Sequence, residues 1–165
     1  MNAYILGILC GVLVGVIVIA AIKLRRPNAG KYDERQQISR GKAYHAGFFT
    51  VLIAGLSCNL WDLVCPLPGE SFVWNIGTLL LGVAVFAVTA IHHDAYLGLF
   101  DNPKRFLLGG FCFILAMSLN AILGLHSDRP FQRSLGILSL EVGLVWAVIV
   151  AALLLHRRNA QKEEE

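Results

Sequence analysis

The chain has 165 residues, 56% of them hydrophobic and only 15% charged, with a mean hydropathy of +0.65 and a formal charge of +3. A soluble domain carries roughly a quarter charged residues, so this composition excludes an ordinary water-soluble fold and points to a chain that shows apolar surface to lipid. Cys10, Cys58, Cys65 and Cys112 lie in or beside apolar runs without C-x-x-C or Cys/His spacing, which excludes a zinc module and reads as small apolar helix residues.

Five apolar runs stand out, at about residues 4–22, 46–64, 73–91, 106–125 and 135–155. Each approaches the roughly 20 residues that a spanning helix needs. No loop between them is long enough for a separate folded domain. The expected fold is therefore all-α, a single integral membrane domain built as a five-helix transmembrane bundle.

The first run has no basic residue before it, and Lys23, Arg25 and Arg26 follow it. That order is wrong for a signal peptide and favours an uncleaved span with its N-terminus outside. The basic residues then fall on one side. Lys23, Arg25, Arg26, Lys31, Arg35, Arg40, Lys42, Lys104, Arg105, Arg157, Arg158 and Lys162 are cytoplasmic, leaving only Arg129 and Arg133 of the fourteen outside. The expected orientation is N-terminus out, C-terminus in, in a bacterial plasma membrane.

Gly7, Gly11 and Gly15 lie four apart on one face of the first run. Such a face admits a close helix neighbour, either in a homodimer or, the plainer reading, within the protein's own bundle. The segment 27–30 (PNAG) breaks the helix. Asp33 then reads as an N-cap, with Gln36 completing a capping box. A juxtamembrane helix over about 33–45 carries Arg35, Arg40 and Lys42 and runs unbroken into the second span. Basic residues there attract anionic lipid headgroups at roughly 1 kcal/mol each. The basic run is too short and too close to the bilayer for nucleic acid.

Further along, Asn102–Pro103 reads as N-cap and first helical residue of the fourth span. Residues 94–106 are expected on the inner surface, residues 127–133 form an outer loop, and the tail from 159 is expected to fray.

Two polar groupings follow from the orientation. The outer one holds Asn59, Asp62, Asn75, Asn120 and Glu141, with Arg129 and Arg133 above. Ionisable groups inside a membrane raise a functional hypothesis by default, here a small outer cavity for a solute or ion. The plainer reading pairs Asp62 and Glu141 with the arginines and makes the asparagines interhelical glue. The inner grouping is His45, His92, His93 and His156, with Asp94. These would ligate a transition metal if the helices brought three together. The plainer reading is interfacial histidines at helix ends. No P-loop, G-x-G-x-x-G, G-x-S-x-G or repeated pair of broken helices is present, and no cofactor is expected.

The stretch YDERQQISRGKAYHAGFF resembles a group of small, uncharacterised multi-pass membrane proteins from Gram-positive (Firmicutes-type) gut bacteria that carry a D-E-R-Q, R-G-K-A-Y, F-F signature before a span. The resemblance rests on Asp33, Glu34, Arg35, Gln36, Arg40, Gly41, Lys42, Ala43, Tyr44, Phe48 and Phe49 and covers about a tenth of the chain. It implies the membrane architecture and a bacterial location, and it marks the cytoplasmic end of the second span as a contact surface. There Gly41 would admit a neighbouring backbone, and Arg40 and Lys42 would hold phosphate or an acidic partner. The leading expectation is a non-enzymatic accessory or regulatory subunit meeting headgroups or a cytoplasmic protein. A small transporter or channel component comes second, and a membrane enzyme using the histidines third.

Overall fold

A computed structural model describes residues 32–65, 71–98 and 102–163. The expected first span, residues 4–22 with Cys10, Gly7, Gly11 and Gly15, lies outside the described residues, as do residues 66–70. The described part is helical throughout. Its helices are α1 (Glu34–Val64), α2 (Ser71–His92), α3 (Pro103–Leu125) and α4 (Pro130–Glu163). All four are long and apolar enough to cross a membrane. They belong to one compact unit of residues 32–97 and 102–165.

The helix starts are fixed by local chemistry. Asp33 accepts from the Gln36 amide at 2.6 Å, and the Gln36 side chain accepts from the Asp33 amide at 3.4 Å, completing the capping box. Asn102 Oδ1 accepts from the Lys104 and Arg105 amides at 3.0 and 3.4 Å, with Pro103 as the first helical residue. Pro103 has no N–H to leave unsatisfied and its φ suits a helix start. Pro130 opens α4 in the same way, so residues 131–133, expected in a loop, are helical. The tail expected to fray is helical through Glu163. At 1.5 Å per residue α1 and α4 measure about 46 and 51 Å, well beyond a hydrocarbon core of about 30 Å.

Within this unit the helices pack as a row, α1 on α2, α2 on α4, and α4 on α3. Only 6% of the most apolar stretch of α1 is buried, against 22% in α4, which has a neighbour on each side. Exposed side chains such as Leu52, Leu56 and Leu115 are the surface that lipid covers. Since lipid is as apolar as leucine, such surface does not drive helices together, and close van der Waals contact must. Glycines supply it. A Cβ on Gly47 would stand 2.9 Å from the Gly82 carbonyl oxygen, where α1 meets α2. A Cβ on Gly124 would stand 2.6 Å from the Gly136 Cα, where α3 meets α4. Gly110 faces Val150 lower on that second seam. Gly41, expected to admit a neighbour, has no described atom within 4 Å of an added Cβ; among the described residues the close approach occurs about one and two-thirds turns later, at Gly47, on the face that meets α2.

The buried core lies toward one end of the row. Ala87 and Ile91 of α2 pack with Ile149 and Leu153 of α4, and Tyr96, Leu97, Phe106 and Leu107 close over them. The start of α1, the turn after α2 and the last turns of α4 gather at this same end. The short connection from His126 to Arg129 lies at the other end of α3 and α4.

Candidate functional site

The structure's most connected polar site is built around the turn that follows α2. Helix α2 ends in a Schellman motif. The Ala95 amide donates to the Ala90 carbonyl at 2.8 Å and the Asp94 amide to the Ile91 carbonyl at 3.0 Å. This motif needs a left-handed residue, normally glycine. Asp94 fills it with φ 53°, a conformation that short polar side chains tolerate better than most. What Asp94 adds is its carboxylate, which meets His156 Nε2 of α4 at 2.7 Å.

One face of α1 grips the same turn. Gln36 Nε2 donates to the Asp94 carbonyl at 2.8 Å, and Arg40 donates to the Ala95 carbonyl at 3.2 Å. The Tyr32 hydroxyl donates to the Tyr96 carbonyl at 3.4 Å. Arg40 also donates to the Tyr44 hydroxyl at 3.1 Å. Its guanidinium lies 4.1 Å from the Tyr32 ring centre and 5.7 Å from those of Tyr44 and Phe86, with Tyr44 stacked on Phe86 at 4.5 Å. A guanidinium desolvated among aromatic faces gains from cation–π attraction. Residues 36, 40 and 44 are spaced by four, so they share one face of α1, and Tyr32 lies just before its N-cap. Burial first, then the neighbouring Tyr32, push the Tyr96 phenol above its ordinary pKa, and Arg40 opposes them.

Arg40 was expected to hold phosphate or an acidic partner. It is instead turned inward onto the protein's own turn. Arg35 and Lys42 are exposed on the opposite face, together with Ile38, His45 and Phe49. The signal for the grip was present in the sequence as four polar residues at spacing four ahead of an apolar run.

The four histidines are not brought together. His45 lies beside Phe49, ring centres 6.0 Å apart, on the outward face of α1. His92 and His93 meet each other at 5.3 Å and are exposed at the end of α2. His156 is engaged by Asp94. Among the described residues no group of three or more His, Cys, Asp or Glu side chains stands close enough to hold a metal.

The outer grouping is divided over three interfaces. Asn59, Asp62 and Asn75 line a cavity of about 10 Å³ between α1 and α2, at the lower limit for a single water. Asn120 faces α4, in a cleft with Gln132 and Ser139. Glu141 lies against Gly77 of α2, its Oε1 3.3 Å from where a Cβ would stand. The asparagines are not interhelical glue. Asn59, Asn75 and Asn120 each donate to the carbonyl four residues earlier in their own helix, at 2.7, 3.1 and 3.1 Å. This back-bonding satisfies an amide on a helix surface without a partner. Glu141 does not reach Arg129 or Arg133, which sit about 12 Å or more back along the α4 axis. Its Oε2 is buried with no hydrogen-bond partner among the described residues.

Comparison with family models, with curated proteins and with solved structures found no match.

Proposed function

We propose that the protein is a non-enzymatic accessory or regulatory subunit of a bacterial plasma membrane, crossing it five times with its N-terminus outside and C-terminus inside. The contact surface is the outward face of α1 from Arg35 to Phe49. One observation carries this reading: the two faces of that segment have different work. Tyr32, Gln36 and Arg40 hold the turn after α2, with Tyr44 accepting from Arg40, which makes the segment a fixed strut. Arg35, Ile38, Lys42, His45 and Phe49 are left exposed opposite them. Cations beside apolar side chains suit the headgroup layer or an acidic partner helix lying on it. The bias of basic residues toward the same end supports the orientation, and the likeness to the signature-bearing Gram-positive group supports the location.

The test is charge reversal at Arg35 and Lys42 in the full chain, with capture of crosslinked partners from membranes and binding to anionic vesicles as readouts. At roughly 1 kcal/mol per basic residue the double variant loses about thirtyfold in headgroup or partner affinity. Unchanged capture and unchanged vesicle binding reject the reading.

One observation favours a second reading, a small transporter or channel component. Glu141 stands about 16 Å along α4 from Pro130, against Gly77 and with an oxygen that has no described partner. A carboxyl at that depth is costly to keep and usually functional. Replacing it with Met removes the unsatisfied oxygen and raises stability by about 1–3 kcal/mol. Under the transport reading the same variant abolishes solute or ion flux in liposomes. Full flux in the Met variant rejects that reading.

A further inference from the structure

A cavity of about 190 Å³ opens beside the Asp94–His156 pair, between the end of α2, the start of α3 and the last turns of α4. It is far larger than the roughly 10–15 Å³ that admits one water. Ile91, Leu97, Pro103 and Leu153 make its floor, and His156 and Arg157 stand at its edge. Next along α4, Leu154 and Leu155 are exposed, so apolar side chains beside the α4 lining are open to lipid. Lys104, Arg105 and Arg158 are exposed and within two residues of the lining. Among the described lining residues Asp94 is the one carboxylate, and it already faces His156.

We propose that this cavity is a seat for one anionic phospholipid, with its phosphate on Arg157 and its glycerol and first acyl carbons on the apolar floor. The proposal rests on the reading that this end of the molecule lies in a headgroup layer. The argument is charge complementarity combined with depth. A free anion in water would have no use for a floor of four apolar side chains with leucines open to lipid beside it. A zwitterionic lipid offers Arg157 the same phosphate but carries its own cation, so it leaves the net positive charge of Lys104, Arg105 and Arg158 unbalanced. Basic clefts between helices at a membrane surface suit anionic headgroups for these reasons.

The experiment uses the full-length protein purified in detergent and probed with phosphatidylglycerol against phosphatidylcholine, counting retained lipid by native mass spectrometry. Wild type retains one phosphatidylglycerol in preference to phosphatidylcholine. Arg157→Gln lowers that retention about fivefold, the worth of one basic residue, and Leu97→Trp fills the cavity and abolishes it. A photoactivatable phosphatidylglycerol crosslinks wild type within residues 91–97, 103–105 or 153–157, a readout that needs no variant. Crosslinks confined to other segments overturn the proposal, as does unchanged retention in folded Arg157→Gln and Leu97→Trp proteins. Loss of retention on reversing Arg35 and Lys42, but not with Arg157→Gln, keeps the headgroup reading and removes this seat. Equal retention of both lipids by wild type removes both.

Discussion

Arg40 and Arg35 are five residues apart in sequence and serve different ends. Arg40 has two hydrogen bonds and three aromatic rings around it, while Arg35 is exposed. Arg40→Ala should therefore cost about 2 kcal/mol, the loss of charge-assisted bonds in a partly buried site, and Arg35→Ala should stay within about 0.5 kcal/mol. Thermal melts in one detergent check both. Tyr96 gives the pH dependence. Its phenol is raised by burial and by Tyr32, so the unfolded chain releases its proton first as pH rises. The contribution is intact below about pH 10, the ordinary phenol value, and is lost as the pH climbs through the higher folded value. The melting temperature should fall above pH 10 more steeply in wild type than in Tyr96→Phe.

At the scale of elements, the helices were legible because their signals are local. Asp33 and Gln36, or Asn102 and Pro103, declare a helix start within four residues. Apolar length declares the spans. What the chain did not disclose is which helices meet. The Gly47–Gly82 and Gly124–Gly136 contacts depend on the pairing order, and no periodicity within one helix reveals a partner. Gly41 looked as suitable as Gly47, because only the fold decides which of two glycines faces a neighbour. The two cases separate by substitution. Gly41→Ala meets no described atom and should stabilise α1 by up to about 1 kcal/mol, through helix propensity alone. Gly124→Ala puts a Cβ within 2.8 Å of three backbone atoms of the facing helix. Backbone yields less readily than a side chain, so this variant should cost about 2 kcal/mol or more by forcing α3 and α4 apart. Denaturation of the two single variants against wild type measures the contrast.

At the scale of the molecule, the candidate site was half legible. The importance of the stretch from Tyr32 to Tyr44 could be read from its charge and spacing, but its role was reversed in part, since Arg40 turns inward. The Asp94–His156 pair spans 62 residues and was visible only as two polar residues expected at the same depth. The outer polar residues looked like a set because hydropathy gives depth and not azimuth. Packing places them on three different seams, and self-bonding of the asparagines takes up one of the two N–H donors of each. The result is a described fold whose polar contacts concentrate at one end of the helices, with the turn after α2 held from both sides by α1 and α4.

That sidedness is tested most directly by cysteine accessibility in intact cells. With the native cysteines replaced, single cysteines at positions 37, 128 and 158 are treated with a membrane-impermeant maleimide. The account predicts labelling at 128 from outside, and labelling at 37 and 158 only after the membrane is opened. Labelling of position 37 or 158 in intact cells would contradict it.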